Sequence, residues 1–131
     1  MSKQHKGLLF TLTRRSLKEI LTDHGLASLG DSYVNFVYSL ALSNRKRTPE
    51  GTKVKGSILA EALRRAGLRE QLPSRMSRHA LADAAEALMV YAWLSDRLTL
   101  NECVRALGKT DDPVDGFTCV LVNAKEKITF P

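Results

Sequence analysis

The sequence has few aromatic residues, few cysteines and no long apolar run. Phe, Trp and Tyr make up 6% of the 131 residues, so a base-stacking platform like that of single-strand binders has few candidates. Two cysteines, Cys103 and Cys119, are too few for a disulfide framework or a four-cysteine metal site. The longest apolar stretch, residues 87–94, is far too short to span a bilayer.

Targeting signals and linkers are also lacking. The short apolar run at residues 8–12 ends at Arg14 and Arg15 and has no small-residue cleavage site, which argues against a signal peptide. We therefore expect an intracellular, cytoplasmic protein with no membrane partner. No linker rich in Pro, Gly or Ser divides the chain, and its length predicts one domain over residues 1–131.

Positive charge is in excess. Lys and Arg total 20 against 14 for Asp and Glu, a net charge of +6. This balance favours an anionic partner such as nucleic acid, an acidic protein or a membrane surface. A merely basic soluble protein fits the number equally well.

Apolar residues recur at helical spacing in several segments, and capping residues mark the ends of these segments. One helix follows Ser16 and is interrupted at Gly25, and others are predicted over about residues 26–43, 58–66, 77–95, 99–108 and 113–128. Ser16 with Glu19 and Thr99 with Glu102 fit capping boxes, and Gly67 fits the residue directly after a helix. The fold class is therefore all-α, with about six helices. Residues 112–131 also fit a hairpin with strands at residues 118–122 and 127–130, and the sequence alone leaves this alternative open.

Two acidic residues stand in an otherwise apolar helix. Apart from Asp83 and Glu86, every residue from 80 to 94 is apolar, which is typical of a helix that is central or is shared with a partner subunit. Their i, i+3 spacing puts both carboxylates on one face, where they repel each other and lose hydration. Protonation, a bound cation such as Mg²⁺, or pairing with Arg75 or Arg78 are the available compensations.

A Gly-Asp pair opens another apolar helix. Asp31 in Leu29-Gly30-Asp31 fits a capping acid at a helix start. The alternative is that Gly30 removes a side chain so that another element can approach Asp31 closely.

Three segments, in this order, resemble the catalytic domain of the ribonuclease III family. Residues 25–33, GLASLGDSY, are similar to the signature that ends in Leu-Gly-Asp-Ser. Residues 57–68, SILAEALRRAGL, are similar to the Leu-Ala-Glu helix that Gly-Leu closes. Residues 81–94, LADAAEALMVYAWL, are similar to the Leu-Ala-Asp-x-x-Glu-Ala-Leu helix.

The resemblance implies an all-α homodimer that cleaves double-stranded RNA with Mg²⁺ or Mn²⁺. Asp31, Asp83 and Glu86 match the metal-binding carboxylates of the family, and Asp31 and Glu86 match its catalytic residues. Glu50 matches an acidic residue that the family carries in a loop, so the resemblance implies that Glu50 is a supplementary metal ligand. In physical terms, a metal would polarise the scissile phosphate and lower the pKa of the attacking water.

The signature departs from the bacterial pattern at two positions. Ala27 and His24 stand where that pattern carries Glu. The short forms called Mini-ribonuclease III, which have no separate RNA-binding domain, similarly carry Leu-Ala there. The resemblance therefore implies a catalytic domain alone, in which the site is either active or one carboxylate short.

The loop after the second helix is the densest basic run of the chain. Double-stranded RNA is recognised mainly through phosphates and 2′-hydroxyls, which requires Lys and Arg rather than aromatics. The predicted RNA-binding residues of this loop, residues 44–55, are Arg45, Lys46, Arg47, Lys53 and Lys55.

Three functions follow as hypotheses. The first is a metal-dependent endoribonuclease that hydrolyses phosphodiester bonds in double-stranded or structured RNA. The second, which Ala27 suggests, is a catalytically weak or inactive RNA-binding dimer on the same scaffold. The third is a helical protein–protein adaptor.

Overall fold

A computed structural model of the chain describes residues 7–12 and 15–129, and these residues contain helices and no strands. The α-helices are α1 (Leu17–Leu21), α2 (His24–Lys46), α3 (Gly56–Arg65), α4 (Arg78–Leu94), α5 (Leu100–Gly108) and α6 (Pro113–Thr129), and a 3₁₀ turn spans Arg69–Gln71. The all-α prediction is confirmed. The hairpin alternative is wrong for the described part of its range; residues 130 and 131, like Arg14, lie outside the described residues.

Helix α4 forms the centre of the fold. It packs against α1, α2, α3 and α6, while α5 packs against α2 and α6. Most of its side chains are buried, including Leu88, Met89 and Val90. This arrangement is what an apolar helix with no polar face requires. Among the described residues, no helix is both long and apolar enough to cross a membrane.

Local sequence signals explain the helix ends. Ser16 with Glu19 and Thr99 with Glu102 form the two capping boxes that the sequence predicts. Gly67 has a φ of +77°, a left-handed conformation that favours glycine after a helix. The Leu68 amide then donates to the Leu63 carbonyl at 3.3 Å, which completes the turn that closes α3.

Helix α2 is longer than the sequence analysis predicts. It begins after Asp23, whose side chain accepts a hydrogen bond from the Leu26 amide, and it runs to Lys46. The expected interruption at Gly25 and the loop expected from residue 44 are therefore both wrong. Basic side chains stabilise the negative end of a helix dipole, and Arg47 ends the helix in a left-handed conformation with φ of 59°.

Candidate active site

Helix α2, which carries Gly30 and Asp31, and helix α4, which carries Asp83 and Glu86, touch at one glycine. A Cβ built on Gly30 in α2 would lie 2.5 Å from the Glu86 carbonyl carbon in α4, and closer still to the carbonyl oxygen. Real side chains do not reach such distances, so only glycine allows this approach. Of the two interpretations of Leu29-Gly30-Asp31, the structure favours close approach, because Asp31 lies within α2 and Asp23 caps the helix.

Glu86 is the one buried charged residue in the described part of the chain, with 8% of its surface exposed. Burial is the main cause that raises its pKa to about 8. A side-chain hydrogen bond with Asp31 and the negative charges of Asp31 and Asp83 raise the pKa further, whereas the charge of Lys53 lowers it. The structure therefore brings the carboxyl groups of Glu86 and Asp31 together in one site.

These carboxylates open onto a pocket of about 480 Å³. Residues from α2, α4 and the loop between α2 and α3 line its walls. They include Asp31, Asp83, Glu86, Lys53, His24 and His79. Acidic and basic side chains thus face one space, which suits a cation on the carboxylate side and a phosphate on the basic side.

Asp83 faces a partner that the sequence analysis did not name. Its Oδ2 lies 3.7 Å from Nε2 of His79, one turn earlier in α4. The structure pairs neither Arg75 nor Arg78 with Asp83 or Glu86 among the described residues. The i, i+4 spacing of His79 and Asp83 is the sequence signal that could have identified this contact.

Asn35 is a second residue that the sequence analysis missed. Its Nδ2 donates to Asp31 Oδ1 at 3.2 Å, and its Oδ1 accepts from the Val54 amide at 2.8 Å. The i, i+4 spacing from Asp31 could have indicated the first contact. The second contact depends on how the loop folds back on α2, which local sequence does not determine.

The carboxylates of this pocket could supply some, but not all, of the ligands of a hard divalent cation. Among residues 7–12 and 15–129, no three His, Cys, Asp or Glu side chains are arranged to hold a metal ion together. Mg²⁺, however, is commonly held by one or two carboxylates, with waters and substrate phosphates completing its shell. Asp31 and Glu86 could supply that pair, with Asp83 nearby.

Glu50 lies away from this cluster. Its Oε1 accepts from Lys46 Nζ at 2.7 Å, and it lines a separate open groove formed by α2 and the loop that follows. The same groove includes Phe36, Leu40 and Pro49. Within the described residues, Glu50 therefore does not join Asp31 and Glu86.

The predicted RNA-binding residues fall into different environments. Arg45 donates to the Thr110 carbonyl at 2.8 Å and to the Leu107 and Gly108 carbonyls at 3.4 Å, and Lys46 pairs with Glu50. Arg47, Lys53 and Lys55 are exposed, and of the five only Lys53 lines the carboxylate pocket.

Comparison with known protein families identifies the family of this sequence. The sequence profile of a family described as ribonuclease III matches residues 24–128 of the chain, which include Asp31, Asp83 and Glu86. The resemblance inferred from three short segments is thereby confirmed over most of the sequence. Members of this family act on RNA and generally depend on a divalent metal. No curated protein matches the chain in sequence.

Proposed function

Because this chain belongs to the ribonuclease III family, we propose that it is a metal-dependent endoribonuclease. It hydrolyses phosphodiester bonds in double-stranded or structured RNA, with Mg²⁺ or Mn²⁺ as cofactor. Residues 1–131 act as one domain, and the protein works in the cytoplasm as a homodimer. The convergence of Asp31, Asp83 and Glu86 on one pocket, where Gly30 packs against the Glu86 backbone, is the observation that carries this proposal.

The carboxylates have separate tasks in this proposal. Asp31, which is exposed, and Glu86, which is buried, would hold the metal ion, with Asp83 as a further ligand. The ion supplies Lewis acidity for the phosphate and lowers the pKa of the attacking water. Glu86 would have to be ionised in this role, because a carboxyl group must lose its proton to act as a metal ligand.

The basic loop binds the substrate. Arg47, Lys53 and Lys55 are exposed on the stretch between α2 and α3 and contact phosphates. Arg45 and Lys46 lie next to this stretch, in the last turn of α2. Phosphate contacts of this kind are independent of sequence and weaken as salt rises. We therefore expect binding to RNA duplexes of unrelated sequence, with modest affinity at physiological salt.

The direct test is cleavage of a long RNA duplex with Mg²⁺ or Mn²⁺. We expect cleavage by the wild type and none by an Asp83→Asn/Glu86→Gln double variant. Glu61→Gln is the matched control, because Glu61 pairs with Arg64 and Arg65 on the outside of α3. No cleavage by the wild type, or equal cleavage by the double variant, contradicts the proposal.

Ala27 favours a second candidate function. It is a buried residue of the carboxylate pocket, at a position where the bacterial signature carries a carboxylate. A site with one ligand fewer could bind RNA as a dimer without cleaving it. Ala27→Glu discriminates the two functions: a catalytic site gains Mn²⁺ affinity and cleavage, whereas an inactive scaffold retains RNA binding and stays inactive. Ser32→Glu, on the exposed side of α2, controls for added charge.

Self-association is supported by an apolar stripe on α2. Leu29 and Phe36 are 44% and 57% exposed, and their i, i+7 spacing puts them on the same side of the helix. Large apolar side chains exposed together commonly mark an interaction site. A second copy of the chain that covers them accounts for the stripe and doubles the basic surface available to RNA.

A further inference from the structure

We infer that Asn35 is a positioning residue that holds Asp31 and the segment carrying Lys53 in one arrangement, so that Lys53 contacts a phosphate of RNA at the carboxylates. The inference rests on the proposed function for the identity of the ligand. It adds a role for Asn35 and separates Lys53 from the other basic residues of the loop.

Asn35 connects two parts of the site with the two ends of its amide group. The Nδ2 donor contacts Asp31 Oδ1 at 3.2 Å, and the Oδ1 acceptor receives the Val54 amide at 2.8 Å. A side chain with both a donor and an acceptor is needed for this arrangement. The orientation of one metal-binding carboxylate is thus coupled to the backbone next to Lys53.

The backbone just before Lys53 is also held by a side chain of α2. Ser39 Oγ donates to the Thr52 carbonyl at 2.9 Å and accepts from the Thr52 amide at 2.9 Å. The residues before and after Lys53 are therefore both bonded to side chains of α2. Lys53 sits on a defined stretch of backbone, although it lies in a segment without regular secondary structure.

The Lys53 ammonium group is available for a ligand. It lines the pocket with Asp31 and Glu86, and it has no hydrogen bond or ion pair with any residue in the described ranges 7–12 and 15–129. A compact lysine charge on a flexible stem is well suited to phosphate. A phosphate of an RNA bound at the carboxylates would lie next to this charge.

Lys53→Met tests the contact, with Lys109→Met, at an exposed lysine directly after α5, as the matched control. We expect the single-turnover cleavage rate of Lys53→Met to fall about 100-fold, as for loss of one donor to developing charge. We expect its RNA affinity to fall only about threefold, as for loss of one exposed phosphate contact. The control, whose lysine lies outside the basic loop and the carboxylate pocket, should keep both its affinity and its rate. A Lys53→Met variant that cleaves at the wild-type rate overturns the inference.

A second measurement does not depend on turnover. Lysine acylation followed by mass spectrometry, with and without a short RNA duplex, reports protection at each lysine of the same protein. We expect strong protection of Lys53 and weaker protection of Lys55. If the wild type does not cleave RNA but Lys53 is protected, the proposed function fails and the phosphate contact stands. Equal protection of the two lysines contradicts the contact.

Asn35→Ala tests the positioning role, and Ser39→Ala is its control, because Ser39 bonds the same loop without touching Asp31. Both variants should exchange loop amide hydrogens faster, at Val54 and Thr52 respectively. Only Asn35→Ala should also weaken Mn²⁺ binding to the RNA-free protein, since it alone releases Asp31. If Mn²⁺ affinity and Lys53 protection stay at wild-type levels in Asn35→Ala, the residue supports the loop only and the inference is wrong.

Discussion

Gly30 lies directly against the backbone of Glu86, with no space between the two helices for a methyl group. The contact joins the signature helix α2 to the central helix α4. It puts the exposed Asp31 and the buried Glu86 on the same pocket. The glycine therefore determines how closely the two helices that carry these carboxylates approach each other, although it contributes no polar group itself.

We expect Gly30→Ala to destabilise the fold by about 1–3 kcal/mol, the usual cost of adding atoms to a packed core. The helices must separate, and so the Mn²⁺ affinity of the carboxylate pair should fall as well. Urea unfolding and Mn²⁺ titration of the RNA-free protein measure the two effects. Gly108→Ala is the control, because a Cβ there would meet no atom within 4 Å. Equal stability of both variants would rule out the tight contact.

The raised pKa of Glu86 predicts how metal-free stability depends on pH. The folded state holds the Glu86 proton up to a pKa of about 8, against the ordinary value of 4.5. Between these values the folded state binds more protons than the unfolded state, so stability falls as pH rises. The contribution of the Glu86 proton to the free energy of unfolding is fully present below pH 4.5 and is lost as the pH rises to about 8.

Glu86→Gln removes this dependence, because the amide resembles the protonated carboxyl and does not ionise. We expect the variant to be more stable than the metal-free wild type at pH 9, and the difference to shrink as the pH falls. Urea unfolding in EDTA over a pH series measures it, with Glu61→Gln as the control for a surface carboxylate. Parallel pH profiles for Glu86→Gln and wild type would show that Glu86 has an ordinary pKa.

The sequence was informative where local chemistry decides structure. The capping boxes at Ser16 and Thr99 and the left-handed Gly67 depend on neighbours within a few residues, and each was predicted. The apolar character of α4 predicted its central place, because burial is the only stable environment for such a helix. The spacing of Asp83 and Glu86 predicted a shared face, and the closeness of Asp31 followed from the family resemblance.

The sequence could not predict contacts between segments that lie far apart in the chain. Arg45 belongs to a basic run that looks uniform in sequence, yet its guanidinium meets carbonyls at the end of α5. Asn35 is an ordinary polar residue until the loop brings the Val54 amide to it. Such partners lie many residues apart or depend on loop geometry, and so the periodicity and spacing of residues contain no signal for them.

Arg45→Met should reduce stability more than it reduces RNA binding. The guanidinium satisfies carbonyl groups of Leu107, Gly108 and Thr110, and loss of charged hydrogen bonds costs about 1–2 kcal/mol. Urea unfolding and filter binding to an RNA duplex measure the two effects. Arg47→Met, at an exposed neighbour, should show the opposite pattern. A stable Arg45→Met protein with strongly weakened RNA binding would assign Arg45 to the RNA surface instead.

Phe36→Asp tests the apolar stripe on α2 as the surface of self-association. A charge at the centre of an apolar interface loses hydration without a partner, so we expect the dimer to dissociate to monomers. Sedimentation velocity at several protein concentrations measures the change. Asn101→Asp, at an exposed position on α5, adds the same charge elsewhere and should leave the dimer intact. Because Phe36 lies in the open groove and not in the carboxylate pocket, the Mn²⁺ affinity of the variant should not change. A variant that remains dimeric would place the interface on another face of the molecule.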